Sequence, residues 1–250
     1  MITMMYSKAN LPRAAERADY WLQEMIKASS LYPDRVTALR ATLFANVLAA
    51  WEKSKLPDAE LHAKRLWNQL KSTKGLTPTS SAYYLYISLW SKSNLPEAPE
   101  LAEKFPREMI QKGKRNPKLL PMCPVFVNVI SSWRRREGSD VPECAQAVLD
   151  LLVTEYTRRS KLPQNWMRFS INGVPFNATI QTWAASSSRE TTTTTTPQLV
   201  EEQIEIILKT MKELEVSPTM VTAWSALPMY SRDSDDEPST AIQDVPAKLL

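Results

Sequence analysis

Trp51-Glu-Lys-Ser-Lys-Leu-Pro57 is one of three segments of this chain that align without a gap, the others being Tyr6-Ser-Lys-Ala-Asn-Leu-Pro12 and Trp90-Ser-Lys-Ser-Asn-Leu-Pro96. Each carries an aromatic residue, a lysine two places on, and Leu-Pro five and six places on. The match continues past each proline: Ala14, Ala59 and Ala98 stand two residues later, Ala18, Ala63 and Ala102 six later, and Met25, Leu70 and Met109 thirteen later. A fixed period of this length is the signature of stacked helical repeats.

The spacing has a direct physical reading. Alanines four apart share one face of a helix, and small side chains there let a neighbouring helix approach closely. The stretch after each proline is therefore a helix, termed B, with the proline at the first turn, where its missing N–H has no intrahelical partner anyway. The aromatic closes a different helix, termed A. Leu43 to Trp51 (LFANVLAAW) and Val125 to Trp133 (VFVNVISSW) are apolar on most sides, as an inner helix packed between neighbours should be. The aromatic recurs at Tyr6, Trp51, Trp90, Trp133, Trp183 and Tyr230, in steps of 45, 39, 43, 50 and 47 residues. Pro78, Pro121 and Pro218 each precede the next aromatic by twelve residues, so helix A starts just after a proline.

The expected fold is all-α: an α-α superhelix, a right-handed solenoid of five to six helical hairpins spanning residues 1–250. The approximate repeats are 1–38, 39–77, 78–120, 121–170, 171–217 and 218–250. A polar low-complexity insert, 186–197, contains Thr191 to Thr196 and is expected to be a disordered loop. Pro106 falls inside the third helix B and is expected to break or kink it. Trp21, Leu22, Trp67 and Phe105 are expected to fill the seams between hairpins. Because helix A before Tyr6 is cut short at Met1 and neither end looks like a polar cap, the chain is expected to be a fragment or a truncated gene model.

Composition fits this reading. The chain is 43% hydrophobic, enough for a continuous core, and has only four glycines but eighteen prolines, which suits short paired helices better than tight phosphate-binding turns. Net charge is +4, unevenly placed. Residues 101–170 hold thirteen Lys or Arg against seven Asp or Glu, whereas residues 191–250 hold four against ten. A basic middle suits a phosphate backbone, and a solvated helical surface reads the same way. Cys123 and Cys144 are too few for a disulfide framework and have no zinc-ligand spacing around them. No run of eighteen apolar residues is present, so no membrane span is expected.

Chemistry is sparse. His62 is the single histidine, which excludes two-histidine metal sites, and its place on helix B between alanine positions reads as surface. No glycine-rich phosphate loop exists. The acidic groups Glu201 and Glu202, and Asp233, Asp235 and Asp236, read as a solvated face and a loop. The chain is expected not to be an enzyme and to hold no cofactor or metal.

A helix A closed by an aromatic, a helix B with spaced alanines and a terminal methionine, and a proline before the next helix A resemble the pentatricopeptide repeat. Phe176-Asn-Ala-Thr-Ile-Gln-Thr-Trp183 is similar to the helix A of the Trp-rich pentatricopeptide proteins of diatoms and their relatives, and Ala14-Ala-Glu-Arg-Ala18 to their helix B. Every step between aromatics here is longer than the usual period of that family. The resemblance implies binding of single-stranded RNA in mitochondria or plastids, with about one base addressed per repeat by two or three side chains. The first of these sits six residues before the closing aromatic, which maps to Ala45, Tyr84, Val127, Asn177 and Trp224. The second sits eleven before the next aromatic, which maps to Thr79, Met122, Asn172 and Thr219.

Of these, Asn177 and Asn172 are of the family's type, whereas Ala45 and Val127 cannot hydrogen-bond a base edge. Tyr84 and Trp224 have two readings, stacking on bases or burial in a seam. Asn46 and Asn128 lie one residue on, about 100° round the helix. Basic residues placed to track phosphates are Arg134, Arg135 and Arg136, then Lys112, Lys114, Arg115 and Lys118, and Arg158 and Arg159. Lys8, Lys53 and Lys92 recur in register as a column, either an RNA contact or the solvated end of helix A. The implied partner is single-stranded RNA, with a role in organellar RNA processing, stability or translation. The alternative is a protein-interaction solenoid whose concave surface takes a peptide or protein subunit.

Overall fold

The computed structural model describes residues 13–32, 39–54, 56–162, 169–187 and 196–223. Most of these are helical, with no strand among them. In chain order the helices are α1 (Ala14–Leu31), α2 (Ala41–Ser54), α3 (Ala59–Ser72), α4 (Ser80–Lys92), α5 (Ala98–Gly113), a 3-10 turn (Pro117–Leu119), α6 (Cys123–Arg135), α7 (Val141–Ser160), α8 (Gly173–Ser187) and α9 (Pro197–Glu213). The even-numbered helices are the A helices of the repeat and the odd-numbered ones the B helices. Their starts follow local chemistry. Thr79 accepts a hydrogen bond from the Ala82 N–H at 3.2 Å and caps α4, Thr196 caps α9 through the Leu199 N–H at 3.3 Å, and α5, α6, α7 and α9 each carry a proline in the first turn.

The chain divides into two compact units, residues 1–121 and 122–250. In the first, α2 packs against α1, α3 and α4, with α5 on the far side of α4. The alanine stripe explains the closeness of these contacts: Ala18, Ala63 and Ala102 are fully buried. Around them lie Phe44, Leu48, Trp51, Leu66, Leu70 and Ile87, all buried. Trp67 of α3 stacks on Tyr86 of α4 at 4.6 Å between ring centroids and meets Tyr83 and Phe105 edge-on at 4.9 and 5.3 Å. Offset and edge contacts of this kind contribute about 0.5–1.5 kcal/mol each beyond area burial. On the outer side Asp19, buried on α1, takes the Arg65 guanidinium of α3 and the Gln23 amide at 3.2 Å, while Gln23 and Gln69 exchange two amide hydrogen bonds at 2.9 and 3.0 Å.

In the second unit α6 packs on α7 and α8, α7 on α8, and α8 on α9. Its core is Phe126, Val129, Ile130 and Trp133 of α6, Val148, Leu149 and Leu152 of α7, Phe176, Ile180 and Trp183 of α8, and Ile204, Ile207 and Met211 of α9. Glu155 and Arg159 are both buried on α7, paired at 3.3 Å, and the guanidinium lies 4.6 Å from the Phe169 ring centroid. Gly113 of the first unit packs so closely on Leu120 that a Cβ there would clash with the leucine side chain.

Three local expectations are corrected. The helix does not break at Pro106: α5 runs unbroken from Ala98 to Gly113 with Pro106 buried. Pro106 shares a face with Ala102, Met109 and Gly113, so burial of that face offsets the lost hydrogen bond. Trp21 is 40% exposed and meets the Tyr20 ring edge-on, because it lies one residue round from the buried Ala18–Leu22 face. His62 is no open surface residue: its ring stacks on Trp51 with centroids 3.9 Å apart, and its nitrogens lie 3.2 Å from Asp58 and 3.5 Å from Asp19. The Thr-rich stretch is bounded by α8, which continues to Ser187, and by α9, which opens at Pro197; residues 188–195 lie outside those described.

Candidate nucleic-acid interface

The candidate site is the set of A-helix positions singled out by the repeat, and each behaves according to its burial. In the first unit Ala45 is 7% exposed, within the core of α2, and its methyl offers nothing to a base edge. Tyr84 stands 40% exposed on α4, free to stack. The Thr79 hydroxyl is engaged as the α4 cap. Lys53 and Lys92 are both exposed, at the ends of α2 and α4. Lys92 is ion-paired with Glu52, which also accepts a hydrogen bond from the Ser88 hydroxyl at 3.1 Å. Part of the lysine column thus ties α4 to α2.

In the second unit Met122 and Val127 are half-buried and apolar. Asn172 is exposed, and its side-chain oxygen accepts the Val174 N–H at 3.1 Å, closing the turn that starts α8. Asn177 is 8% exposed, and its Oδ1 has no hydrogen-bond partner. A buried amide oxygen left unpaired costs about 1–3 kcal/mol, which makes it the polar atom of the set most in need of a partner. The Asn128 amide nitrogen is likewise buried and unpaired. Thr219 is exposed, and its hydroxyl lies 3.3 Å from that of Thr222, across the start of the next helical turn. Trp224 and Lys8 lie outside the described residues.

Several of the basic residues are engaged within the fold. Lys112 pairs with Glu108 at 2.6 Å and donates to the Tyr83 hydroxyl at 3.0 Å, while Tyr83 donates to Glu108 at 2.7 Å. Burial pushes the Tyr83 phenol up to about 12, its hydrogen bonds modifying that shift. Arg158 pairs with Glu155 at 2.8 Å, and Arg159 is buried against the same carboxylate. Burial lowers the Arg159 pKa against the opposing pull of Glu155, and the Glu155 hydrogen bond raises that of Arg158. These three cations are latches inside the fold, which sequence alone could not separate from phosphate ligands. Arg134 and Arg135 are exposed at the end of α6, and Arg134 donates to Gln181 of α8. Lys114, Arg115 and Lys118 are exposed around the 3-10 turn.

Sequence reasoning missed the partners Glu52, Ser88 and Gln181. The signal was in the alignment itself: Glu52 and Arg134 each follow the closing aromatic by one, and Ser88 and Gln181 each precede it by two. Residues facing one another from successive A helices recur at those places.

As for bond-making chemistry, burial holds the Cys123 thiol above its ordinary pKa, which disfavours a reactive thiolate. Among the described residues no three His, Cys, Asp or Glu side chains converge as metal ligands, and no helix is long and apolar enough to cross a membrane. No family model, curated protein or solved structure matches the chain.

Proposed function

We propose that this chain is an RNA-binding, non-catalytic member of the pentatricopeptide type, its hairpins forming part of a right-handed α-α superhelix that engages single-stranded RNA. The observation that carries the reading is the repeated register of the A helices. Within each unit, successive A helices meet through the same pair of positions, Glu52 with Ser88 and Arg134 with Gln181, and each of these helices except α8 ends in a lysine or arginine two residues past the aromatic. Lys53 and Lys92 in the first unit and Arg135 in the second recur in this sequence register, and positive charge repeated from hairpin to hairpin suits a polyanionic strand. Exposed Tyr84 adds one stacking surface for a base, whereas the Asn177 oxygen is enclosed. Buried Ala45 and apolar Val127 and Met122 add none, so base discrimination is weak. By resemblance the role is processing, stability or translation of a transcript in a mitochondrion or plastid.

The test is fluorescence anisotropy with short labelled oligoribonucleotides of differing sequence across a salt series. The expected result is similar affinity for each sequence, with log K falling against log salt by about 0.7 per phosphate engaged. A salt slope near zero, or no binding at low salt, overturns the proposal. The second reading, a protein-interaction solenoid, is favoured by the apolar character of Ala45, Val127 and Met122, and in that case a protein or peptide would bind without competition from RNA.

A further inference from the structure

Neighbouring B helices of the first unit meet through fixed places in the repeat. Asp19 of α1 takes Arg65 of α3 and lies 3.5 Å from the His62 ring, Gln23 exchanges amide hydrogen bonds with Gln69, and Trp67 of α3 meets Phe105 of α5 edge-on. One side of these seams thus presents Asp19, Gln23 or Trp67 to the hairpin that follows. The other presents His62, Arg65, Gln69 or Phe105 to the hairpin that precedes. Aligned on Ala18, Ala63 and Ala102, this second set maps onto Arg17, Tyr20, Glu24 and Trp21 of α1. No preceding hairpin covers them among the described residues. Arg17, Tyr20 and Trp21 are exposed, and Glu24 is half-buried with Lys27 of its own helix 3.0 Å away. Exposed aromatics rimmed by charge mark a surface that binds another.

The complementary side is on α9. Its buried Val200, Ile204, Ile207 and Met211 fall at the places of Ala59, Ala63, Leu66 and Leu70 in α3, which fixes its register. The places of Asp19, Trp67 and Gln23 are then Glu205, Leu208 and Lys209. Glu205 and Lys209 are exposed and make no ion pair among the described residues, and Leu208 is half-buried. Placed together in the register of the first unit's seams, the α9 and α1 faces match. Glu205 falls opposite Arg17 as Asp19 does opposite His62, Leu208 opposite Trp21 as Trp67 does opposite Phe105, and Lys209 opposite Glu24 as Gln23 does opposite Gln69. Each charge finds its opposite, with the apolar pair between them, an arrangement that selects both partner and register.

We infer that α9 of one copy of this chain docks on α1 of a second copy, continuing the stack of B helices from chain to chain. The contact is head-to-tail, so a pair of copies still carries one open α1 and one open α9, and further copies add to it. The inference goes beyond the RNA-binding proposal and is tested without RNA.

Sedimentation velocity of the full chain is read over a concentration series, with circular dichroism melts alongside. The parent is expected to gain mass steadily with concentration. Trp21→Asp blocks the α1 face, and Glu205→Arg with Lys209→Glu blocks the α9 face; all three side chains are exposed, so both variants should melt like the parent. Each variant is expected to self-associate about tenfold or more weakly. An equimolar mixture of the two should form a one-to-one dimer and stop there, because one intact α9 meets one intact α1 and the remaining faces are both blocked. If Trp21→Asp lowers the melting temperature, Arg17→Glu at its exposed site should give the same loss of self-association. A parent that stays monomeric up to about 1 mM overturns the inference. So do folded variants that associate like the parent, a mixture that stays monomeric, or a parent dimer whose mass rises no further.

Discussion

At the scale of single residues, the fold depends on where small and polar side chains sit relative to a packed seam. Ala63 is fully buried at the repeated small position of α3. Ala63→Leu is expected to overpack that seam and cost about 1–3 kcal/mol, read as a lower urea midpoint with unchanged m-value. A variant that melts like the parent would show the helix B register to be wrong. Tyr83 offers a pH signature. Burial raises its folded pKa from the ordinary phenol value near 10 to about 12, so its stabilising contribution is complete below pH 10 and is lost as pH rises towards 12. Tyr83→Phe should remove roughly 2 kcal/mol of that alkaline loss, measured by urea melts on either side of the window. Tyr86 and Lys112, both also raised, would leave a residual slope of the same sign.

Element by element, the two units share a register and differ in how charge is handled. In the second unit the Glu155–Arg159 pair is buried within α7, with Phe169 beneath the guanidinium. Arg159→Met should cost about 3–5 kcal/mol, because it leaves Glu155 buried with one partner fewer, while Glu155→Met with Arg159→Met should cost much less. Equal losses in chemical denaturation of the single and double variants would mean that the pair is not acting as a unit. Pro106 makes a related point. A proline in a helix interior is a breaker when judged alone, yet within α5 the face it shares with Ala102 and Met109 stays buried and the helix continues. Sequence position predicted the local cost of that proline, and packing on both sides of it decided the outcome.

For the molecule as a whole, helix neighbours predict where the structure opens first. α1 packs chiefly on α2, and α9 on α8, whereas α2 and α8 each touch three helices. The same holds for α4, which touches α2, α3 and α5, so hydrogen exchange should be slowest in α2, α4 and α8 and faster in α1 and α9. Uniform protection across all nine helices would contradict it. The alternation of A and B helices, the buried alanine stripe and the core aromatics Trp51, Trp90, Trp133 and Trp183 were legible in the sequence, because each is a periodic consequence of helix geometry; the repeat prolines Pro57 and Pro96 instead fall in the turns before α3 and α5, two residues ahead of the first helical residue. The candidate site was less legible. Ala45, Tyr84, Asn172 and Asn177 could be placed on helices or their starts, but periodicity alone did not say that Asn172 would close a turn, that Asn177 would be buried with its oxygen unpaired, or that Trp21 would face outward while Leu22 was buried.

What the sequence by itself determined is the helical-hairpin repeat, since a period written into alanines, aromatics and prolines constrains every copy in the same way. Which cations remain outward is a tertiary matter. Lys92, Lys112 and Arg159 find carboxylates in the fold and Arg134 finds an amide, because charge partners are chosen by distance across helices, and that distance is set only when the helices pack.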